Sequence, residues 1–217
     1  DAAYDGCTTQ CTPGPRCGDG VVQASGGEEC DDGTPDGDDL CNACLKTPRR
    51  YLFVTSATYT GKFGGVIAAD GLCTSIAGQN GIGTPNATWI AWLSDNGNSA
   101  YNRYLSKSFT GWYVLPGDPP KLVAKGWTGL TSGALLQPIH RTELGTTLPP
   151  GETVWSTTKV DGNVNDGSNH CTGWNSNWII YKGRLGDANA TNSDWTDKAP
   201  SATATCDAKR HLYCVEN

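Results

Sequence analysis

The chain has 217 residues and contains 28 glycines and 12 prolines, while only 18% of its residues are charged. This composition predicts long loops around one compact core. The formal net charge of −6 disfavours nucleic acid as a partner, because phosphate binding needs a surplus of basic residues. No apolar run approaches the roughly 18 residues that a transmembrane helix requires, so the sequence predicts no membrane span.

Ten cysteines divide the chain into two parts. Six lie within the first 44 residues and four are spread over the rest: Cys7, Cys11, Cys17, Cys30, Cys41 and Cys44, then Cys73, Cys171, Cys206 and Cys214. This division predicts a small cysteine-rich module over residues 1–47 and a larger domain over residues 48–217. An even count, with no methionine and no signal-like leader before Asp1, indicates a processed protein that is secreted or displayed on a cell surface.

The predicted module is strongly acidic and has few apolar residues. Residues 1–45 contain ten acids and one base, whereas residues 46–217 contain twelve acids and fifteen bases. The formal charges of the two parts are therefore −9 and +3. Such a density of carboxylates needs cations to neutralise it, and oxygen ligands favour Ca²⁺ over softer metals. Because it can bury little apolar surface, the module should depend on disulfides and bound ions for its stability.

Three short motifs in the module resemble a known repeat. They are CGDG from Cys17, EECDDG from Glu28, and Asp39-Leu-Cys41 with Cys44 close behind. These motifs are similar to bacterial cysteine-rich repeats related to the Lin-Notch repeat. The resemblance implies a mostly irregular chain that binds Ca²⁺. The carboxylates that fall on the motif or in its variable loop are those of Asp19, Glu29, Asp31, Asp32, Asp36, Asp38 and Asp39.

Alternative interpretations of the module stay open at this point. Six cysteines allow fifteen pairings, and the Cys-x3-Cys and Cys-x2-Cys pairs could instead ligate Zn²⁺. The acids could also form a solvated negative surface. An EF-hand is excluded, because a loop that starts at Asp31 would place Asn42 where the twelfth-position glutamate belongs.

An α+β pattern, dominated by strands and loops, follows the polar segment 46–50. Residues 51–56 predict a buried strand, and residues 88–94 predict a central strand that is apolar on both faces. In the segment 64–78, apolar residues recur at helical spacing, Cys73 lies on the apolar face and Gly78 can end the helix. Further short strands are predicted at 112–115, 121–124, 152–156, 178–181 and 211–215.

The order of the last four cysteines resembles that of a C-type-lectin-like domain. The first lies in the predicted helix, the second is distant, and the last two frame a short segment before the ending Leu-Tyr-Cys-Val-Glu. The resemblance implies the nested disulfides Cys73–Cys214 and Cys171–Cys206. The segments YLFVTSATYTGKFGGVIAADGLC, WIAWLSD and RHLYCVEN also resemble a bacterial secreted family with a lectin-like or endostatin-like fold, whose function is largely undefined.

Two loop segments are similar to the calcium and sugar ligands of C-type lectins. Asp161-Gly-Asn163 precedes the second of the four cysteines, and Trp195-Thr-Asp197 precedes the third. The proline of the first family triplet and the asparagine of the second are replaced here. The resemblance implies a ligand-binding surface with Asp161, Asn163, Asp166, Trp174, Trp195 and Asp197. The alternative is that these are turn residues whose side chains bond to the backbone.

Eight tryptophans offer flat apolar faces on which a sugar ring could stack. Trp89, Trp92 and Trp155 lie inside predicted strands and should be core residues. The tryptophans that flank loops are better candidates for exposure, and they are Trp112, Trp174, Trp178 and Trp195.

The sequence gives little support for catalysis. His140, His170 and His211 occupy unrelated contexts, and no HExxH, GxSxG or Walker motif is present. We therefore expect a secreted or cell-surface binding protein, adhesin-like and non-catalytic, which is stabilised by disulfides and Ca²⁺ and recognises a glycan or an extracellular protein. The alternative is a structural subunit of an extracellular matrix, sheath or filament, in which the acidic module and the basic domain favour self-association.

Overall fold

The computed structural model describes residue 14 and residues 16–34, 40–165 and 167–217. The protein is of mixed α+β type, with few helices, several sheets and multiple disulfides. The chain divides into two compact units, Asp1–Pro48 and Arg49–Asn217. Within the described ranges, no helix combines the length and the apolar character needed to cross a bilayer.

The first unit is irregular, and disulfides hold its described part. Its regular elements are a 3-10 turn at Ala24–Gly26 and the antiparallel strands β1 (Cys41–Asn42) and β2 (Leu45–Lys46). The disulfides Cys17–Cys44 and Cys30–Cys41 anchor this hairpin to the preceding loop. These four cysteines are therefore not thiolate ligands, which removes the zinc interpretation for them. Cys7 and Cys11 lie outside the described residues.

Two sheets form the second unit. Its strands are β3 (Arg49–Val54), β4 (Trp89–Ala91), β5 (Trp112–Leu115), β6 (Lys121–Lys125), β7 (Thr153–Trp155), β8 (Lys182–Asp187), β9 (Thr203–Thr205) and β10 (Tyr213–Glu216). The larger sheet has the order β4-β10-β3-β5-β6, and only β3 and β5 are parallel in it. The smaller sheet is the antiparallel array β7-β8-β9. The first and last strands of the unit thus pair with each other.

The central strands are buried on both faces, which explains their nearly continuous apolar sequences. In β10, Tyr213 and Val215 belong to one core cluster, while Cys214 between them belongs to the other. Leu52 and Phe53 of β3 divide in the same way. The period-2 alternation of side chains therefore supplies two cores from one pair of strands.

The long helix covers one of these cores. It is α1 (Val66–Gln79), and the shorter helical segments are α2 (Ala100–Arg103), α3 (Gly126–Leu130) and α4 (Cys171–Trp174). The buried residues of α1 recur at helical spacing, as the sequence predicts: Val66, Ala69, Cys73 and Ala77. Asp70 accepts hydrogen bonds from the Ala91 amide at 2.8 Å and from Arg103 Nε at 2.9 Å, so a charge pair ties α1 to β4 and α2.

Two disulfides cross-link the second unit. Cys73–Cys214 joins α1 to β10, and Cys171–Cys206 joins α4 to the chain just after β9. These are the pairs that the resemblance implies. Positive φ angles run through all of Cys171–Trp174, from 50° to 71°, so α4 is a left-handed turn. The Phe63, Gly64 and Gly65 amides donate to the Trp174 carbonyl and hold this unfavourable conformation in place.

The strand predicted at 178–181 is wrong. Tyr181 N donates to Trp178 O at 3.1 Å, which closes a turn with Ile179 and Ile180 at its tip, and β8 begins only at Lys182. The apolar run resembled a buried strand in composition alone. The sequence did not predict the actual strand, Lys-Gly-Arg-Leu-Gly-Asp, because two of its buried positions are glycines. Glycine gives no apolar pattern, and its close contacts are seen only in the fold.

Candidate functional site

Asp31 organises the acidic loops of the first unit. Its carboxylate accepts hydrogen bonds from the backbone amides of Gly18, Asp19 and Gly20 at 2.9–3.1 Å and from that of Gly33 at 2.8 Å. These bonds lower the pKa of Asp31, and the bond from Gly33 has the largest effect. The carboxylate therefore fastens the CGDG segment to the EECDDG segment.

Glu28 is the acidic residue that the sequence analysis missed. Its side chain is only 8% exposed, and its Oε2 accepts the Gln23 amide at 2.6 Å. Its Oε1 is buried and has no hydrogen-bond partner among the described residues. Burying a carboxylate oxygen in this state is unfavourable unless a cation or a proton satisfies it. The sequence could not identify this residue, because it does not show which of the neighbouring Glu28 and Glu29 points inward.

Glu28 and Asp31 form the best candidate cation site in the described part of the chain. Their carboxylate oxygens lie with Cys44 Sγ inside a group whose ligand atoms are all within 4.8 Å of one another. Cys44 is disulfide-bonded, so oxygen ligands alone remain for a metal. Such a donor set suits a hard cation such as Ca²⁺. Among these carboxylate oxygens, only Glu28 Oε1 lacks a partner in the described residues, because each Asp31 oxygen already accepts two backbone amide bonds.

The other predicted calcium ligands lie apart from this pair. Asp19 accepts the Gln23 side-chain amide and the Val21 backbone amide, and the Gln23 bond lowers its pKa. Glu29 accepts the Lys46 amide at 3.1 Å, and Asp32 accepts the Thr34 amide and hydroxyl. Asp19 and Asp32 thus stabilise local turns, whereas Glu29 joins its segment to β2. Asp36, Asp38 and Asp39 lie outside the described residues.

A buried hydroxyl network holds together the two loops that carry the lectin-like triplets. Ser94 Oγ lies 2.9 Å from Thr158 Oγ1, and Ser156 Oγ lies 2.9 Å from Thr196 Oγ1. Thr196 Oγ1 also receives the Trp92 indole N–H at 2.7 Å. The two predicted ligand loops are thus anchored to the core at neighbouring points.

Trp174 and Trp195 were wrongly predicted to be exposed ligand contacts. Both side chains are fully buried. The Trp174 indole N–H donates to Ser94 O at 2.8 Å, and the Trp195 ring packs against that of Trp92 at 5.1 Å. Trp112, at 7% exposure, is buried as well. Adjacent loops suggested exposure, but the Trp195 and Trp174 indoles turn inward and each joins one of the two core clusters.

The polar members of the predicted ligand surface are engaged with the protein. Asp161 Oδ1 accepts the Asn163 amide at 2.9 Å in a local turn, which matches the turn interpretation. Asp197 Oδ1 forms an ion pair with Arg184 Nη2 at 2.6 Å. Asp166 lies outside the described residues. Among residues that the structure does describe, no group of three potential metal ligands forms around these two loops.

A cleft that the sequence did not indicate opens beside the larger sheet. Its volume is about 380 Å³, and its lining includes Tyr51, Ile82, Pro116, Glu143 and Leu144. Both oxygens of Glu143 are bonded to Ser56, its Oε2 to the amide at 2.8 Å and its Oε1 to the hydroxyl at 2.5 Å. The lining residues come from four segments far apart in sequence, and only the fold brings them together.

In the described residues, the candidate sites are therefore the Glu28–Asp31 carboxylate pair and the cleft. No family model matches the chain, and no curated protein matches it either. A function must therefore be inferred from the Glu28–Asp31 pair, the disulfide arrangement and the surfaces of the second unit.

Proposed function

We propose that the chain is a secreted or cell-surface, non-catalytic binding protein. In this proposal a calcium-stabilised module of the Lin-Notch type precedes a C-type-lectin-like domain that recognises a glycan or an extracellular protein. The observation that carries it is the nesting of Cys171–Cys206 within the span of Cys73–Cys214, together with the pairing of β3 and β10. This arrangement joins the ends of the domain and leaves long loops between the cross-links for recognition. Disulfides also suit an extracellular location.

Ca²⁺ has a structural role in this proposal. Glu28 would bind it through the free Oε1, with Asp31 as the neighbouring carboxylate. The bound ion would supply positive charge to a unit whose carboxylates otherwise repel one another. Glu28 and Asp31 are three residues apart, so the ion would fix the segment that the Cys30–Cys41 disulfide already constrains.

Replacing Glu28 tests the calcium site. We expect Glu28→Gln to weaken Ca²⁺ binding by about tenfold or more in titration calorimetry of the full chain, because one charged oxygen ligand is lost. The matched control is the adjacent Glu29→Gln, which keeps an oxygen to accept the Lys46 amide and should bind Ca²⁺ as the parent does. The calcium proposal fails if millimolar Ca²⁺ neither releases heat nor raises the unfolding temperature of the parent chain.

A glycan array, run once with Ca²⁺ and once with chelator, tests recognition by the second unit. The loops at Asp161 and Asp197 lack a free cluster of carboxylates in the described residues, so we expect any glycan signal to survive chelation. Tyr51→Ala should remove a signal that arises in the cleft, whereas Asp161→Ala with Asn163→Ala should remove one that arises at the loop. A signal that depends on Ca²⁺ and on the Asp161 loop would contradict our expectation that recognition survives chelation.

A second candidate function is a structural subunit of an extracellular assembly. It is favoured by apolar side chains left exposed on the small first unit, namely Val21 at 60%, Val22 at 50% and Leu45 at 53%. The opposite charges of the two parts of the chain also favour contacts between copies. Light scattering over a concentration series separates the two functions, because a subunit forms polymers and a simple binding protein does not.

A further inference from the structure

In the described part of the second unit, the turn at Trp178–Tyr181 is the longest run of consecutive exposed large hydrophobic side chains. Trp178, Ile179 and Ile180 are each 65–69% exposed, and Tyr181 is 38% exposed. The two isoleucines occupy the tip of the turn, where Gly, Asn, Asp, Ser and Pro are the usual residues. A β-branched apolar pair at this position opposes the local preference and gains no burial within the protein. Such local conflicts mark positions that serve a function.

The base of this turn is rigid. The Tyr181 carbonyl accepts the Cys206 amide at 3.0 Å, and Cys206 is bonded to Cys171. The Trp178 and Tyr181 rings stack with their planes 23° apart and their centroids 6.5 Å apart. Trp178 N donates to Ser176 Oγ at 3.2 Å. The apolar tip is therefore held in place by a disulfide and an aromatic pair.

Basic residues adjoin the turn in sequence and in strand pairing. Lys182 follows it directly, and Lys62 forms a β-bridge with Asn175 just before it. The strand register places Lys182 opposite Thr205, and the segment after Thr205 carries Lys209 and Arg210 against the single acid Asp207. Lys62, Lys182 and Lys209 are exposed. An exposed apolar turn with adjoining lysines is complementary to an anionic interface with an apolar interior.

We propose that this turn inserts into the interface of an anionic lipid membrane. Ile179 and Ile180 would enter the acyl boundary, and the Trp178 and Tyr181 rings would lie at headgroup level, where amphipathic aromatic side chains are favoured. The adjoining Lys62 and Lys182 would contact the anionic headgroups. One turn buries little surface, so the association is weak and reversible, and it depends on both apolar and charged contacts. It is independent of the glycan or protein recognition proposed above.

Trp178 supplies a specific spectroscopic probe. The other seven tryptophans are at most 9% exposed, so Trp178 alone is accessible to a quencher in the lipid. The full chain would be mixed with vesicles of phosphatidylcholine alone and with vesicles that also contain phosphatidylglycerol, both carrying brominated acyl chains. We expect quenching and co-flotation with the phosphatidylglycerol vesicles, weakened by salt, and no quenching in the Trp178→Phe variant.

Variants separate the apolar and the electrostatic contacts. Ile179→Ser with Ile180→Ser should lower the partition coefficient by about tenfold or more, because both aliphatic side chains leave the acyl region. The matched control is Leu105→Ser with Leu136→Ser, which removes two exposed aliphatic side chains elsewhere and should bind as the parent does. Lys62→Gln with Lys182→Gln should weaken binding by about tenfold and reduce its salt dependence.

Three results would overturn the proposal. The first is that the parent chain binds neither the phosphatidylcholine vesicles nor those that contain phosphatidylglycerol. The second is concentration-dependent self-association that the double serine variant at 179 and 180 abolishes, without vesicle binding, which would assign the turn to contacts between copies. The third is a change in Trp178 emission on addition of a soluble glycan but not of vesicles, which would assign it to sugar stacking. Glycan binding that fails while vesicle binding persists would contradict the recognition proposal alone.

Discussion

Glu216 shows how one buried carboxylate can hold distant segments together. It is 1% exposed, its Oε2 accepts the Tyr51 amide at 2.7 Å, and its Oε1 accepts the amide and the hydroxyl of Thr84, the amide at 2.8 Å. It thus joins β10 to β3 and to the segment that follows α1. The same bonds position Tyr51 and the loop around Ile82 on two sides of the cleft.

We expect Glu216→Gln to lower the free energy of unfolding by about 2 kcal/mol, because an amide N–H₂ must then face a backbone donor in a buried site. Urea unfolding measures the loss. Asp161→Asn is the control, since asparagine keeps the turn bond to Asn163, and its effect should stay within about 0.5 kcal/mol. Equal stabilities of the two variants would show that the Glu216 bonds contribute nothing net.

His140 should make stability depend on pH. Partial burial lowers its pKa, with further contributions from the charges of Lys121 and Arg141. The folded state then binds the proton less readily than the unfolded state, so stability is complete above the ordinary histidine pKa of about 6.5 and falls as the pH drops through the folded pKa. His140→Gln should flatten this part of a stability profile between neutral and mildly acidic pH. An NMR titration that finds an ordinary or raised pKa for His140 would contradict the expectation.

At the scale of elements, helix α1 was predictable and the turn at Trp178–Tyr181 was not. The helix was readable because its buried side is encoded by spacing within one short segment. Whether the turn segment or the β8 segment forms a strand depends on which other segments pair with it. Here β8 pairs with β7 and β9, which come from distant parts of the chain. An apolar run without a partner strand became an exposed turn, and a glycine-containing segment with two partners became the central strand of the sheet.

Two glycine-to-alanine substitutions should change stability in opposite directions, one through helix propensity and the other through close packing. Gly71 lies in α1 with open space around it, so Gly71→Ala should raise the free energy of unfolding by about 0.5–1 kcal/mol. A Cβ on Gly61 would approach Cys171 Cβ to 2.8 Å and also meet its sulfur, so Gly61→Ala should lower stability by about 1–3 kcal/mol. Chemical denaturation of both variants checks the opposite signs. A destabilised Gly71→Ala would mean that α1 packs against something on its exposed side.

At the scale of the whole molecule, the two disulfides of the second unit should contribute unequally. The Cys73–Cys214 bond spans 141 residues and the Cys171–Cys206 bond spans 35. In the chain-entropy description, closing the longer loop stabilises the fold by about 1 kcal/mol more, out of about 4–5 kcal/mol for each bond. Replacing each pair by alanine and comparing urea unfolding tests this order. The reverse order would mean that packing around Cys171 and its left-handed turn outweighs loop closure.

Features that short segments encode could be predicted from the sequence. Cysteine counts indicated a disulfide-rich protein, the apolar spacing of residues 66–77 gave helix α1, and the runs at 51–56 and 112–115 gave strands. The sequence did not reveal that Glu28 turns inward while Glu29 does not, nor that Trp178 alone among the four tryptophans expected to be exposed is in solvent; these outcomes required the tertiary structure. The physical reason is that the exposure of a side chain is set by the distant segments that pack around it.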